Sequence, residues 1–193
     1  MTFTPTSEII EAIKFIVATT APFLSGWFGL RYGLKQIKEE RRLTFIEKQL
    51  KEFYSPLLGI HKEISAKSEY RLKVGTISGR LWKENVQNKI EQSTDSVHSE
   101  IEYNNRQLKE EFLPLYREML LIFRSGYWLA EQETKHFYSE LVEYVEGWNR
   151  WENKGINTQT IQEIGHTEGK LKPFYKELEK RTEILRSELA QKN

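Results

Sequence analysis

The feature that most constrains this chain is an uncharged apolar run at positions 15–30, in an otherwise very polar sequence. A basic cluster follows at once and comprises Arg31, Lys35, Lys38, Arg41 and Arg42. A bilayer core takes about 20 apolar residues, and the wider segment 9–34 reaches that length. Its charged side chains lie near the ends, where they can reach the membrane interface. We therefore expect a transmembrane segment in residues 1–34 and a helical domain in residues 35–193.

The charge distribution around this run predicts its orientation. More positive charge follows the run than precedes it, so residues 35–193 should lie in the cytoplasm, with the run in the inner membrane. A cleaved signal peptide is disfavoured, because Glu8 and Glu11 precede the run and Trp27-Phe28 stand where cleavage would fall. A buried core helix or an interfacial helix stays open as an alternative, because the run is short.

Small residues form two neighbouring rows along the run, and small residues at this spacing let membrane helices approach closely. One row is Ala21, Ser25, Gly29 and Gly33, and the other is Ala18, Pro22 and Gly26. Pro22 also removes a backbone hydrogen bond and can kink the helix. Both a self-associating span and a simple anchor fit this pattern, since Gly and Pro are common in membrane helices generally.

The composition indicates an all-α protein and excludes several functions. The 29 Lys and Arg nearly cancel the 28 Asp and Glu, so a basic field for duplex nucleic acid is absent. There is no cysteine, which excludes disulfides and thiolate metal sites. Asp95 is the only aspartate while glutamate is abundant, and this bias favours helices over turns.

A heptad pattern begins just after the basic cluster, so the membrane helix can continue directly into it. Its members are Leu43, Ile46, Leu50, Phe53, Leu57, Ile60 and Ile64. The pattern fits one face of an intramolecular bundle and equally a parallel oligomer seam. Pro56 should bend this helix without ending it.

Glycine and proline mark the predicted breaks in the rest of the body. Residues 70–80 have loop or short-strand character, and a plain interhelical loop is the favoured interpretation. The glycines and hydroxyl groups at 74–80 can also bind a phosphate group. A second helix is predicted at 81–123, with a weak helical pattern at 93–99 and a kink at Pro114. A turn is predicted at 124–128. Two further helices are predicted at 131–151 and 158–191. The segments 49–57 and 107–115 share a Gln-Leu-Lys-Glu start and a Pro-Leu end, which suggests a duplicated, proline-kinked helix.

Catalytic motifs are hard to find, and we expect no enzyme, metal or cofactor. The four histidines lack metal-binding spacing, and no nucleophile elbow accompanies Asp95. A binding role fits better, because interleaved cations and aromatic rings can neutralise phosphates and stack bases. Each such residue, taken singly, also fits the edge of a core. The candidate ligand-binding residues are Arg80, Trp82, Lys83, Arg124, Tyr127, Trp128, Lys135, His136 and Arg150.

Three short motifs carry a resemblance to known proteins. They are Glu52-Phe53-Tyr54-Ser55-Pro56-Leu57, then Phe112-Leu113-Pro114-Leu115, then the Trp-x-x-Trp-Glu ending at 148–152. With them the chain resembles small single-pass bacterial membrane proteins that have a helical cytoplasmic domain. More specifically, it resembles the membrane-bound accessory effector of type III CRISPR antiviral defence.

That resemblance implies a tetrameric cytoplasmic domain, which senses cyclic tetra-adenylate as a second messenger and then perturbs or opens the membrane through its transmembrane helices. A four-fold oligomer can offer each phosphate and adenine one cation and one ring, around Arg80 or around Arg124 and Trp128. The motifs themselves transfer no ligand residue. The alternative is a structural or adaptor membrane protein whose heptad face binds a protein partner, with no nucleotide ligand.

Overall fold

The computed structural model describes the backbone of residues 7–88 and 95–191, and the side chains of Trp27 and of residues 29–88 and 97–191. Within these residues every regular element is a helix, which confirms the all-α expectation. The α-helices are α1 Ser7–Gln49, α2 Ser55–Gln87, α3 Asp95–Gln107, α4 Leu113–Ser125, α5 Gln132–Lys135, α6 Phe137–Glu152, α7 Thr158–Glu163 and α8 Lys172–Ala190. Two π-helical turns, Leu50–Tyr54 and Leu108–Phe112, precede α2 and α4, and a 3₁₀ turn, Glu168–Leu171, precedes α8.

The chain divides into two compact units, residues 1–46 and 47–193. In the first unit the described part is a single helix with large apolar side chains on its surface. Trp27, Leu30, Tyr32 and Leu34 are each more than half exposed. The guanidinium of Arg31 lies over the Trp27 ring, 5.1 Å from its centre. Among the described residues, no helix has the length and apolar character that a membrane crossing requires.

The expected small-residue rows fall mostly outside the described side chains. Gly29 and Gly33 are described, and each has open space where a Cβ atom would stand. The side chains outside the description include Ala18, Ala21, Pro22, Ser25 and Gly26. The backbone at Pro22 is part of α1, which runs unbroken from Ser7 to Gln49, so the proline does not end the helix; the kink there stays a prediction.

The second unit, here called the body, buries the heptad face in its own core. Leu50, Phe53, Leu57, Ile60 and Ile64 are all buried. Their helical segments pack against α4 and α8, whose buried residues include Leu113, Met119, Phe123, Phe174 and Leu178, and α6 packs in turn against α4. Full burial of such side chains contributes roughly 1.5–3 kcal/mol each. The heptad pattern thus belongs to an intramolecular bundle, which is the first of the two alternatives.

The repeated Gln-Leu-Lys-Glu segments adopt the same local structure. In each, the helix widens by one residue before the proline, so that Ser55 N–H bonds the Leu50 carbonyl and Leu113 N–H bonds the Leu108 carbonyl. A proline has no N–H and its ring crowds the carbonyl four residues back, which favours a change in hydrogen-bond register just before it. The predicted kinks at Pro56 and Pro114 are therefore π turns.

Two predicted helix boundaries are wrong. Residues 70–80 form part of α2, so the expected loop and its phosphate cradle are not there. Gly75 and Gly79 each reduce helix stability by only about 1 kcal/mol relative to alanine, which is too little to interrupt a long helix. The predicted helix 81–123 does not begin at Leu81, because α2 ends at Gln87 and α3 begins at Asp95.

The last predicted helix, 158–191, is also not continuous. It is divided into α7, the 3₁₀ turn and α8. Gly165 adopts a φ of +63°, which ends α7 in the left-handed conformation that glycine tolerates best.

Candidate ligand site at the turn after helix α4

The structure brings four of the predicted binding residues to one place. Residues 126–131, here called the aromatic turn, follow α4 and carry Tyr127 and Trp128. Arg124 is exposed in the last turn of α4, and Lys135 ends α5. The Tyr127 and Trp128 side chains are 43% and 55% exposed, and Tyr127 also meets Tyr138 edge-on at 5.5 Å. This confirms the predicted turn with two exposed aromatic side chains.

Each ring of the aromatic turn has a cation over its face. Lys48 Nζ lies 4.9 Å from the centre of the Trp128 ring, and Lys135 Nζ lies 5.4 Å from that of Tyr127. Such contacts hold the cations near the rings. Lys48 Nζ also lies 3.9 Å from a carboxylate oxygen of Glu52, in a long, exposed ion pair. Arg124, exposed in the last turn of α4, adds a third cation close to the two rings in sequence.

The aromatic turn is held in place by buried polar side chains. Gln49 Nε2 donates to the Leu129 carbonyl at 2.7 Å and to Glu131 Oε1 at 3.1 Å. The Glu131 N–H donates to the Tyr54 hydroxyl at 3.0 Å, and that hydroxyl lies 3.1 Å from the Thr134 hydroxyl. These bonds tie the turn to the end of α1 and to the first π turn.

Glycine at position 126 is required by close packing. A Cβ atom there would lie 2.7 Å from Cδ2 of Phe53, a fully buried ring. That ring packs edge-on against Tyr54 and Phe123. The beginning of the aromatic turn therefore rests directly on the core.

Charged groups anchor α5, which carries Lys135, to α8. Arg181 pairs with Glu177 at 2.7 Å and with Glu133 at 2.8 Å. The hydrogen bond to Glu177 raises the pKa of Arg181, which keeps this cation charged. Burial raises the pKa of Tyr54, so its hydroxyl keeps its proton and its bonds to α5 and the turn.

The other predicted binding residues lie on different elements. Arg80, Trp82 and Lys83 belong to the later turns of α2, where Arg80 lies 3.8 Å from Glu84 of its own helix. Arg150 is exposed on α6 and pairs with Glu146 at 2.7 Å. His136 is exposed between α5 and α6, next in sequence to Lys135.

Sequence reasoning missed the residues that position the turn. Tyr54 belongs to the Glu-Phe-Tyr-Ser-Pro-Leu motif, which was a usable signal, although the motif gave it no role. Gln49 and Lys48 carry no local signal, because their partners are about 80 residues away in the chain.

The Trp-x-x-Trp-Glu segment proves to be structural. Arg117 of α4 donates to Asn149 Oδ1 at 2.7 Å and also pairs with Glu152. Lys109 of the second π turn lies 5.8 Å from the centre of the Trp151 ring. The segment thus fastens α6 to α4 and to the second π turn.

A second group of polar and aromatic side chains contains three buried polar atoms, although the His166 and Trp148 side chains are only partly buried. The His166 ring stacks on Tyr144 at 4.7 Å and meets Trp148 edge-on at 5.3 Å. The atoms Trp148 Nε1, His166 Nε2 and Tyr175 Oη are buried and have no hydrogen-bond partner among the described residues. Burial lowers the pKa of His166 and raises that of Tyr175, so both groups are neutral at pH 7.

Comparison with known proteins gives no assignment: no family model, no curated protein and no solved structure matches the chain. Within the described residues, no group of three His, Asp or Glu side chains can hold a metal ion.

Proposed function

We propose that this chain is a membrane-anchored sensor whose body binds an anionic ligand with aromatic rings, of the nucleotide class, at the aromatic turn. The observation that carries the proposal is the pairing of two exposed rings with two cations, beside a third cation at Arg124. Base stacking on an aromatic side chain contributes about 1–3 kcal/mol per base, and nearby cations add phosphate neutralisation.

The way the turn is held supplies a route from ligand to membrane. Gln49 is the last residue of α1, and α1 is the helix that includes the expected membrane segment. Its side chain, with that of Tyr54, fixes the aromatic turn. A ligand that binds one arrangement of this turn better than another biases the end of α1 by the difference in binding free energy.

The surface of the first unit supports the membrane anchor. Trp27 and Tyr32 are exposed beside Arg31, and Trp and Tyr with nearby cations are the side chains that favour the membrane interface. The proposed location is the inner membrane, with the body in the cytoplasm.

The resemblance narrows the ligand to cyclic tetra-adenylate and the role to antiviral defence. A homotetramer with the ligand on its four-fold axis offers one aromatic turn to each nucleotide. Bound ligand would then act on four membrane helices together, and these perturb or open the bilayer.

The adaptor alternative is the weaker proposal. It needs the heptad face to receive a protein partner, and five of the seven heptad residues are fully or almost fully buried in the core of the body. An adaptor would therefore need a different surface.

Titration calorimetry of the full chain in detergent, with cyclic tetra-adenylate, tests the proposal. We expect binding that weakens about 5- to 150-fold in Trp128→Ala, which corresponds to the loss of one stacked base. Arg124→Gln should also weaken it, whereas Arg80→Gln, an exposed arginine on α2, should not. Absence of binding, or equal loss in Arg80→Gln and Arg124→Gln, would refute the proposed site.

A further inference from the structure

A cleft of about 350 Å³ lies between the middle of α2 and α3. It shares no residue with the aromatic turn. Ala66, Val74, Tyr70 and Tyr103 supply apolar and aromatic walls. Asn104 and Gln107 add amides, and Glu100 adds one carboxylate. This volume is within the range of pockets that hold small organic molecules.

The two cations of the cleft differ in their partners. Lys67 is neutralised, because its Nζ lies 2.8 Å from Glu63 and 2.9 Å from Glu111. The hydrogen bonds that the Lys67 ammonium donates to Glu63 and Glu111 raise the pKa of Lys67, and the bond accepted from Lys67 lowers the pKa of Glu111. The Lys67 charge is thus balanced by carboxylates of the protein itself.

Arg71 has no such carboxylate partner among residues 7–88 and 95–191. Its guanidinium lies over the Phe112 ring, 5.6 Å from the centre, and its side chain is half-buried. Stacking on a ring orients a guanidinium and leaves its edge N–H groups free to donate. A guanidinium fixed in this way within a mainly apolar cleft is suited to bind a planar acid group in two-point fashion.

We propose that this cleft binds a small organic anion with an apolar, aromatic body, whose acid group contacts Arg71 and whose rings lie between Tyr70 and Tyr103. The proposal does not depend on nucleotide binding at the aromatic turn. Asn104 is placed to contribute a further hydrogen bond to the ligand.

The absence of cysteine from the chain makes a direct test possible, because one introduced thiol reports on one position. The test compares Asn104→Cys, in the cleft, with Ser187→Cys, exposed on α8 and remote in sequence from both the cleft and the aromatic turn. The full chain in detergent is alkylated with iodoacetamide, with and without naphthalene-2-sulfonate as the probe. We expect the probe to slow alkylation at position 104 about fivefold when present at roughly four times its Kd, and to leave position 187 unchanged.

Two further measurements identify the contacts. Arg71→Gln should abolish the protection at position 104, and the uncharged 2-naphthalenemethanol should protect less than the sulfonate. Protection that survives Arg71→Gln, or equal protection at positions 104 and 187, would overturn the proposal. The proposal would also be overturned if the thiol at position 104 is alkylated slowly without the probe and more rapidly when the protein is diluted. That result would show that a second copy of the chain occupies the cleft.

Discussion

Gly147 in α6 gives the sharpest test of how the body is packed. A Cβ atom at this position would lie 2.5 Å from Cε1 and 2.8 Å from Nδ1 of His166. The imidazole cannot simply move away, because Tyr144 stacks on it at 4.7 Å and Trp148 meets its edge at 5.3 Å. Overpacking of this kind costs roughly 1–3 kcal/mol, from which the helix preference of alanine recovers up to about 1 kcal/mol.

We therefore expect Gly147→Ala to destabilise the body by up to about 2 kcal/mol, which lowers Tm by up to roughly 8 °C. Thermal and denaturant unfolding of the full chain in detergent measure this effect. Gly59→Ala is the matched control: this helical glycine has open space around it, and alanine there should stabilise by about 0.5–1 kcal/mol.

In a His166→Ala background the added methyl group should no longer be destabilising, so a double-mutant cycle isolates the clash. The packing account fails if Gly147→Ala is as stabilising as Gly59→Ala.

Three further predictions concern the helices, the turn and pH. Gly79→Ala should stabilise by up to about 1 kcal/mol in denaturant unfolding, because this exposed position is helical; destabilisation would instead indicate a loop. Tyr54→Phe should cost about 1–3 kcal/mol by the same assay, because it leaves a part-buried N–H of the aromatic turn without its partner, and an unchanged stability would contradict that role. Burial lowers the pKa of His61 and His166 below 6.5 in the folded state. As pH falls, these two histidines are therefore protonated first in the unfolded state, which lowers the free energy of unfolding. The stabilisation from these two histidines should therefore be complete above about pH 6.5 and decrease below it. Measurements of Tm at pH 7.5 and at pH 5.5 test this difference. A His61→Asn/His166→Asn double variant should lose this pH dependence.

Patterns with a local cause were predictable. The heptad spacing identified the core face of the first long helix, and Pro56 and Pro114 marked the two changes in helix register. The Gly126-Tyr127-Trp128 sequence correctly indicated a turn with exposed rings.

Features that depend on distant packing were not predictable. Gly75 and Gly79 suggested a loop, yet the cost of two glycines is small beside a continuous 33-residue helix. The residues that hold the aromatic turn, Gln49 and Tyr54, act through partners about 80 positions away, and no spacing rule reaches that far.

Native mass spectrometry of the full chain, released from detergent with cyclic tetra-adenylate, tests the central claim most directly. The proposed sensor predicts an assembly of four chains with one ligand, and loss of that ligand in Trp128→Ala. A chain that stays monomeric and carries no ligand at any concentration of cyclic tetra-adenylate would contradict the claim.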